Sequence, residues 1–125
     1  MYIYNVTINI EESVHDRWLE WMVNEHIPAM LATGKFLKAL MSKIIIEEEM
    51  GGNSYSIQYT TDSKDTLQKY YDENASELRI QGKQFEGKYV SFRTEVQGIV
   101  EAPNEIFSPT PTAEDVGCNN LEEKR

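Results

Sequence analysis

Five apolar or aromatic residues, Tyr2, Tyr4, Val6, Ile8 and Ile10, occupy every second position at the start of the chain, and this alternation constrains the fold more than any other feature. Successive side chains of a strand point to opposite faces, so a period of two marks a strand with one apolar face. The period then changes. Val14, Trp18, Trp21 and Met22 share one stripe at helical spacing, with Ser13 as the expected cap and Asp16 as its capping-box partner. Pro28 lacks an N–H and clashes with the preceding turn, so this helix should stop there and a short second piece should run on to Gly34. A long strand is expected from Leu37 to Glu49, a hairpin turn at Gly51-Gly52-Asn53, and a returning strand from Ser54 to Thr61. Asp62 or Ser63 should cap a second helix with the stripe Leu67, Tyr70, Tyr71, Ala75 and Leu78. After a connector anchored by Phe85, a last strand runs from Tyr89 to about Gln97. The order βαββαβ predicts an α+β, ferredoxin-like domain: a four-stranded antiparallel sheet with both helices on one face.

Composition changes after Val100. Residues 101–125 hold Pro103, Pro109 and Pro111, six acidic residues and only Lys124 and Arg125 to offset them. We therefore expect a folded domain over 1–100 and an acidic, extended or disordered tail over 101–125. A lesser alternative is a tail that drapes over a partner through Ile106 and Phe107. The whole chain of 125 residues carries 21 Asp+Glu against 12 Lys+Arg, a net charge of −9, which argues against nucleic-acid partners. The longest aliphatic run, Ile44-Ile45-Ile46, is far short of a membrane span, and the N-terminus has no leader pattern. The lone Cys118 excludes a disulfide framework. These features lead us to expect a cytoplasmic protein.

Helices on one side leave the other side of the sheet open. We expect this face to carry Ile3, Asn5, Thr7 and Asn9 from the first strand, Ser54, Ser56, Gln58 and Thr60 from the third, and Ser91, Arg93 and Glu95 from the last. A solvated sheet surface is one reading. The other, which the scarcity of charge favours, is the interior of a homodimer, two such faces closing around water or a polar ligand, with Arg93 pairing Glu95.

The βαββαβ order, the kinked first helix and the segment from Glu25 to Phe36, with its His26-Ile27-Pro28 step and Gly34-Lys35-Phe36 entry into the second strand, resemble the dimeric α/β-barrel superfamily. Tyr4-Asn5-Val6-Thr7-Ile8-Asn9, Trp18-Leu19-Glu20-Trp21-Met22, Glu47-Glu48-Glu49-Met50-Gly51-Gly52 and Phe92-Arg93-Thr94-Glu95 are similar to a domain-of-unknown-function family within it. The resemblance spans residues 1 to about 98. It implies homodimerisation, and its relatives include cofactor-free monooxygenases of the antibiotic-biosynthesis type, isomerases and ligand-sensing domains. No catalytic set carries over residue by residue.

His26 is the first candidate for chemistry, since an imidazole can act as acid, base or donor near neutral pH. The competing and expected role is structural: a ring N–H could satisfy the carbonyl that Pro28 leaves unpaired. Glu25 follows Trp18 and Met22 at helical spacing and could turn inward, where desolvation would make it a proton carrier. We expect the kink to rotate it into water instead. His15 should be exposed. Two histidines and no clustered acids make no metal site, and Glu47-Glu48-Glu49 reads as an edge-protecting acidic tip. Most of the tryptophans and tyrosines should be core, with one or two tyrosine hydroxyls rimming a cavity. The expected ligand-binding set is Asn5, Thr7, His26, Gln58 and Arg93, with His26 and Glu25 as the catalytic candidates. The expected function is a homodimeric small-molecule-binding module with no reaction of its own and no cofactor. The alternatives are a cofactor-independent monooxygenase- or isomerase-like enzyme working near His26, or an interaction protein contacted through its tail.

Overall fold

A computed structural model describes residues 1–45 and 53–104. The expected hairpin turn at Gly51-Gly52, the acidic run Glu47-Glu48-Glu49 and the tail beyond Asn104 lie outside the described residues. The chain forms β1 (Tyr2–Ile10), a 3₁₀ turn (Glu12–Val14), α1 (His15–Trp21), a π turn (Met22–His26) and α2 (Ile27–Ala32). It continues through β2 (Lys38–Lys43), β3 (Asn53–Thr61), α3 (Lys64–Glu73), α4 (Ala75–Ile80), a second 3₁₀ turn (Gln81–Phe85) and β4 (Tyr89–Gln97). The sheet order is β2-β3-β1-β4 and every pair is antiparallel. This is the ferredoxin-like arrangement that the periodicity predicts.

Local chemistry explains the element ends, with two departures. Ser63 caps α3 as expected, its Oγ accepting the Thr66 N–H at 3.2 Å. Gly34 closes α2 at φ +78°, a left-handed turn that glycine enters without strain. Ser13, however, donates to Glu11 Oε1 at 2.6 Å and caps nothing, because a 3₁₀ turn precedes α1 and moves its start to His15. The second helix is also broken in two at Asn74 (φ −127°, ψ −31°). There Lys35 Nζ donates to Asn74 Oδ1 at 2.9 Å and pairs with Glu73 at 3.0 Å, tying the α2–β2 connection to the break.

The core lies between the helices and one sheet face. Tyr4, Ile8 and Ile10 of β1 meet Trp18, Trp21, Met22 and Met30 from the first helical stretch and Leu67, Tyr70, Ala75 and Leu78 from the second. Tyr4, Phe36, Tyr59 and Tyr70 pack with ring centroids 5.0–6.2 Å apart, the offset and edge-on separations aromatic rings prefer.

The face assignment of β4 is corrected by its register. Directly opposed residues of an antiparallel ladder share a face. Tyr4 stands opposite Glu95, Val6 opposite Arg93 and Ile8 opposite Ser91, so these three polar residues belong to the helix side. Glu95 accepts the Tyr71 hydroxyl at 2.8 Å there, and the expected Arg93–Glu95 pair is not formed. Val90, Phe92, Thr94 and Val96 join Asn9, Thr7, Asn5 and Ile3 on the open side. Assigning the apolar set of an edge strand to the core fails because the helices leave this edge thinly covered.

Candidate functional site

The turn from Met22 to His26 widens to a π helix, with the Ile27 N–H bonded to the Met22 carbonyl. It sits directly before Pro28, which has no N–H to offer the preceding turn, so the ladder shifts by one residue instead of kinking open. The shift sets the His26 ring against Trp21, stacked at 4.7 Å and 22°. His26 lines a cavity of about 240 Å³ under the helices. Its floor is Tyr4, Val6, Ile8, Ile57 and Tyr59. One wall is Trp18, Trp21, Met22 and Met30; the other is Leu78, Gly82 and Phe85. Tyr70 of α3, Arg79 of α4 and Tyr89, Ser91 and Arg93 of β4 also line it.

His26 does not take up the expected carbonyl. Its Nδ1 is buried without a hydrogen-bond partner. Burial, and then the positive charge of Arg93, hold its imidazole well below the usual 6.5, at about 4, so the ring is neutral at physiological pH. Burial also pushes up the phenols of Tyr59 and Tyr70, which stay protonated. Tyr70 donates weakly to Met30 Sδ at 3.4 Å, and Arg79 reaches Tyr4 Oη at 3.4 Å.

The expected binding set is divided by the sheet. His26 and Arg93 share the cavity, whereas Asn5, Thr7 and Gln58 lie on the opposite face. There Asn5 Nδ2 donates to Thr7 Oγ1 at 3.2 Å and Thr94 Oγ1 at 3.3 Å, and Asn5 Oδ1 accepts from Ser56 Oγ at 2.8 Å. Glu25 is exposed, and no part of it lines the cavity. Arg79 and Ser91 were not among the expected site residues; the cross-strand pairing of β4 with Val6 and Ile8 was the signal for Ser91 and Arg93. His15 is the other correction. Its side chain is only 15% exposed, stacked on Tyr55 with Nε2 2.6 Å from the phenol oxygen and Nδ1 3.2 Å from Asp16. The two residues are 40 positions apart, so no local pattern reveals the contact. Among the described residues no group of three His, Cys, Asp or Glu side chains could hold a metal ion, and no helix is long and apolar enough to cross a membrane.

One-sided helices over a four-stranded antiparallel sheet, with a cavity between the layers, define this as an α+β ferredoxin-like domain. The chain belongs to the family described as domain of unknown function DUF4286, whose model matches residues 1–99. No curated protein matches it. Among solved structures it is similar to a dimeric ferredoxin-like protein from an uncultured marine organism, at 16% identity and TM-score 0.61, covering 83% of this chain and 100% of that one. HapK from Hahella chejuensis matches at 8% identity and TM-score 0.62, over 83% and 98% of the two chains. A mutant of SnoaB, a cofactor-independent oxygenase from Streptomyces nogalater, matches at 9% identity and TM-score 0.60, over 82% and 98%. At these identities the likeness is one of fold.

Proposed function

We propose that this protein is a homodimeric small-molecule-binding module of the cytoplasm, each copy holding its ligand in the cavity beside His26. The observation that carries this reading is a cavity lined by Trp21, Tyr59, Phe85 and the neutral His26 ring, with Arg79 and Arg93 as charged groups at its edge. An apolar, aromatic cavity with a few polar side chains is the usual build of a small-molecule site. The cavity of about 240 Å³ falls just under the roughly 300 Å³ of the smallest usual ligand sites, so the ligand is small.

The open sheet face supports self-association. Val90 and Phe92 are 74% and 58% exposed, and Leu40, Val96 and Ile3 extend the apolar surface around them. Exposed apolar patches of this kind mark interfaces. The polar centre is already satisfied, since both Asn5 amide hydrogens and its oxygen are bonded within the face. Covering it with a second sheet then leaves the Gln58 amide as the group the partner must satisfy. The ferredoxin-like protein from an uncultured marine organism, described above as similar in fold, is dimeric, which supports this reading.

Mass spectrometry under native conditions, on protein purified from its own host, tests both parts. The expected species is a dimer carrying one small adduct per chain, lost on denaturation. A bare monomer would refute the reading.

A further inference from the structure

The cavity has a charge pattern opposite to that of the chain. The protein carries 21 acidic and 12 basic residues, yet no Asp or Glu lines the cavity, while Arg79 and Arg93 both do. Both arginines are exposed at the edge of the cavity, and among the described residues neither has a carboxylate partner; Arg79 hydrogen-bonds the Tyr4 hydroxyl at 3.4 Å, and Arg93 has no ion pair. Two uncompensated guanidiniums beside an apolar, aromatic interior are a binding arrangement for an anion attached to a ring, because guanidinium donors match a carboxylate in geometry and charge. Trp21 and Phe85, with centroids 5.4 Å apart, supply flat apolar surface behind them.

Building on the small-molecule reading above, we infer that the ligand is a monocarboxylate on a small aromatic ring system, its carboxylate held by Arg79 and Arg93 and its ring lying among Trp21, His26 and Phe85. His26, neutral at physiological pH, lines the same cavity. The absence of a lining carboxylate is what distinguishes this site from one for an amine or a sugar, which would call for acceptors.

The test compares 2-naphthoate with 2-naphthamide by isothermal titration calorimetry on the full chain; the two share a shape and differ in charge. The expected result is naphthoate tighter by on the order of tenfold or more. Its affinity should fall to that of the amide in the double variant Arg79→Gln/Arg93→Gln. Raising the salt concentration on the unaltered protein should weaken naphthoate alone, a readout that needs no variant. Equal binding of the two probes, or naphthoate affinity indifferent to both the double variant and salt, would overturn the carboxylate assignment and leave the binding module standing. Binding of neither probe would overturn both.

Discussion

The two faces of the sheet treat their polar groups in opposite ways. On the open face, Asn5, Thr7, Ser56 and Thr94 satisfy one another through hydrogen bonds of 2.8–3.3 Å, and Asn9 reaches Ser54 at 3.0 Å. On the helix face, His26 Nδ1 is buried with no partner, and Arg93 has no carboxylate paired with it among the described residues. A surface most of whose polar groups are closed among themselves can be covered by another protein surface at little loss, with the Gln58 amide the group a partner must satisfy. A cavity whose polar groups are left open is instead completed by a molecule that brings the missing partners. The same β1 strand serves both sides, its odd residues facing one and its even residues the other.

The comparison breaks most visibly at Phe92. Replacing this exposed residue with Glu puts an unpaired charge within the apolar part of the proposed sheet-to-sheet contact, a cost of several kcal/mol. Light scattering should show the dimer replaced by monomer at micromolar concentration, with 2-naphthoate affinity retained. A variant that stays dimeric would place the interface elsewhere.

The helix face is sharpened by pH. The folded protein binds a proton at His26 only near pH 4, whereas the unfolded chain accepts it near 6.5. Protons are thus bound preferentially by the unfolded state, so this contribution is full above pH 6.5 and is lost as pH falls toward 4, on the order of 3 kcal/mol over the window. Urea unfolding across that range should show the decline, and His26→Gln should remove that part of the slope. Parallel pH curves for the two proteins would contradict a buried neutral ring.

A smaller effect is expected from Asn5→Ala, which leaves the surrounding hydroxyls short of one partner and should cost about 1–2 kcal/mol by chemical denaturation. It should leave 2-naphthoate affinity unchanged; a change in affinity would mean the two faces are coupled. The smallest effect is expected from ending the chain after Val100. That should shift the melting temperature by less than about 2 °C, because residues 101–125 lack an apolar pattern. A loss of several degrees would mean that the tail packs on the domain.

Much of this architecture was legible because it is written in period and punctuation. The alternation of Tyr2 to Ile10, the stripe of Val14, Trp18, Trp21 and Met22, the Ser63 cap and Gly34 each act over a few residues. The site was harder. The phase of β4 depends on which residue of β1 it faces, and the apolar character of Val90, Phe92 and Val96 pointed to the core when their register turns them outward. The π turn leaves no periodic trace, since it displaces the ladder by a single residue, so the orientation of His26 could not be read from spacing. His26 was found by its residue type and its place before Pro28, and its role then depended on contacts that only the folded chain makes. Arg79 and the His15–Tyr55 contact depend on pairings across the fold and have no local signature.

The most direct test of the division between the faces is a crystal structure of the full chain grown with 2-naphthoate. The predicted result is naphthoate in the cavity with its carboxylate at Arg93 and Arg79, and two copies joined through Phe92 and the Asn5 network. A cavity collapsed around a His26 ring bonded to a backbone carbonyl, or an open face left to solvent with the probe lying on it, would contradict the account.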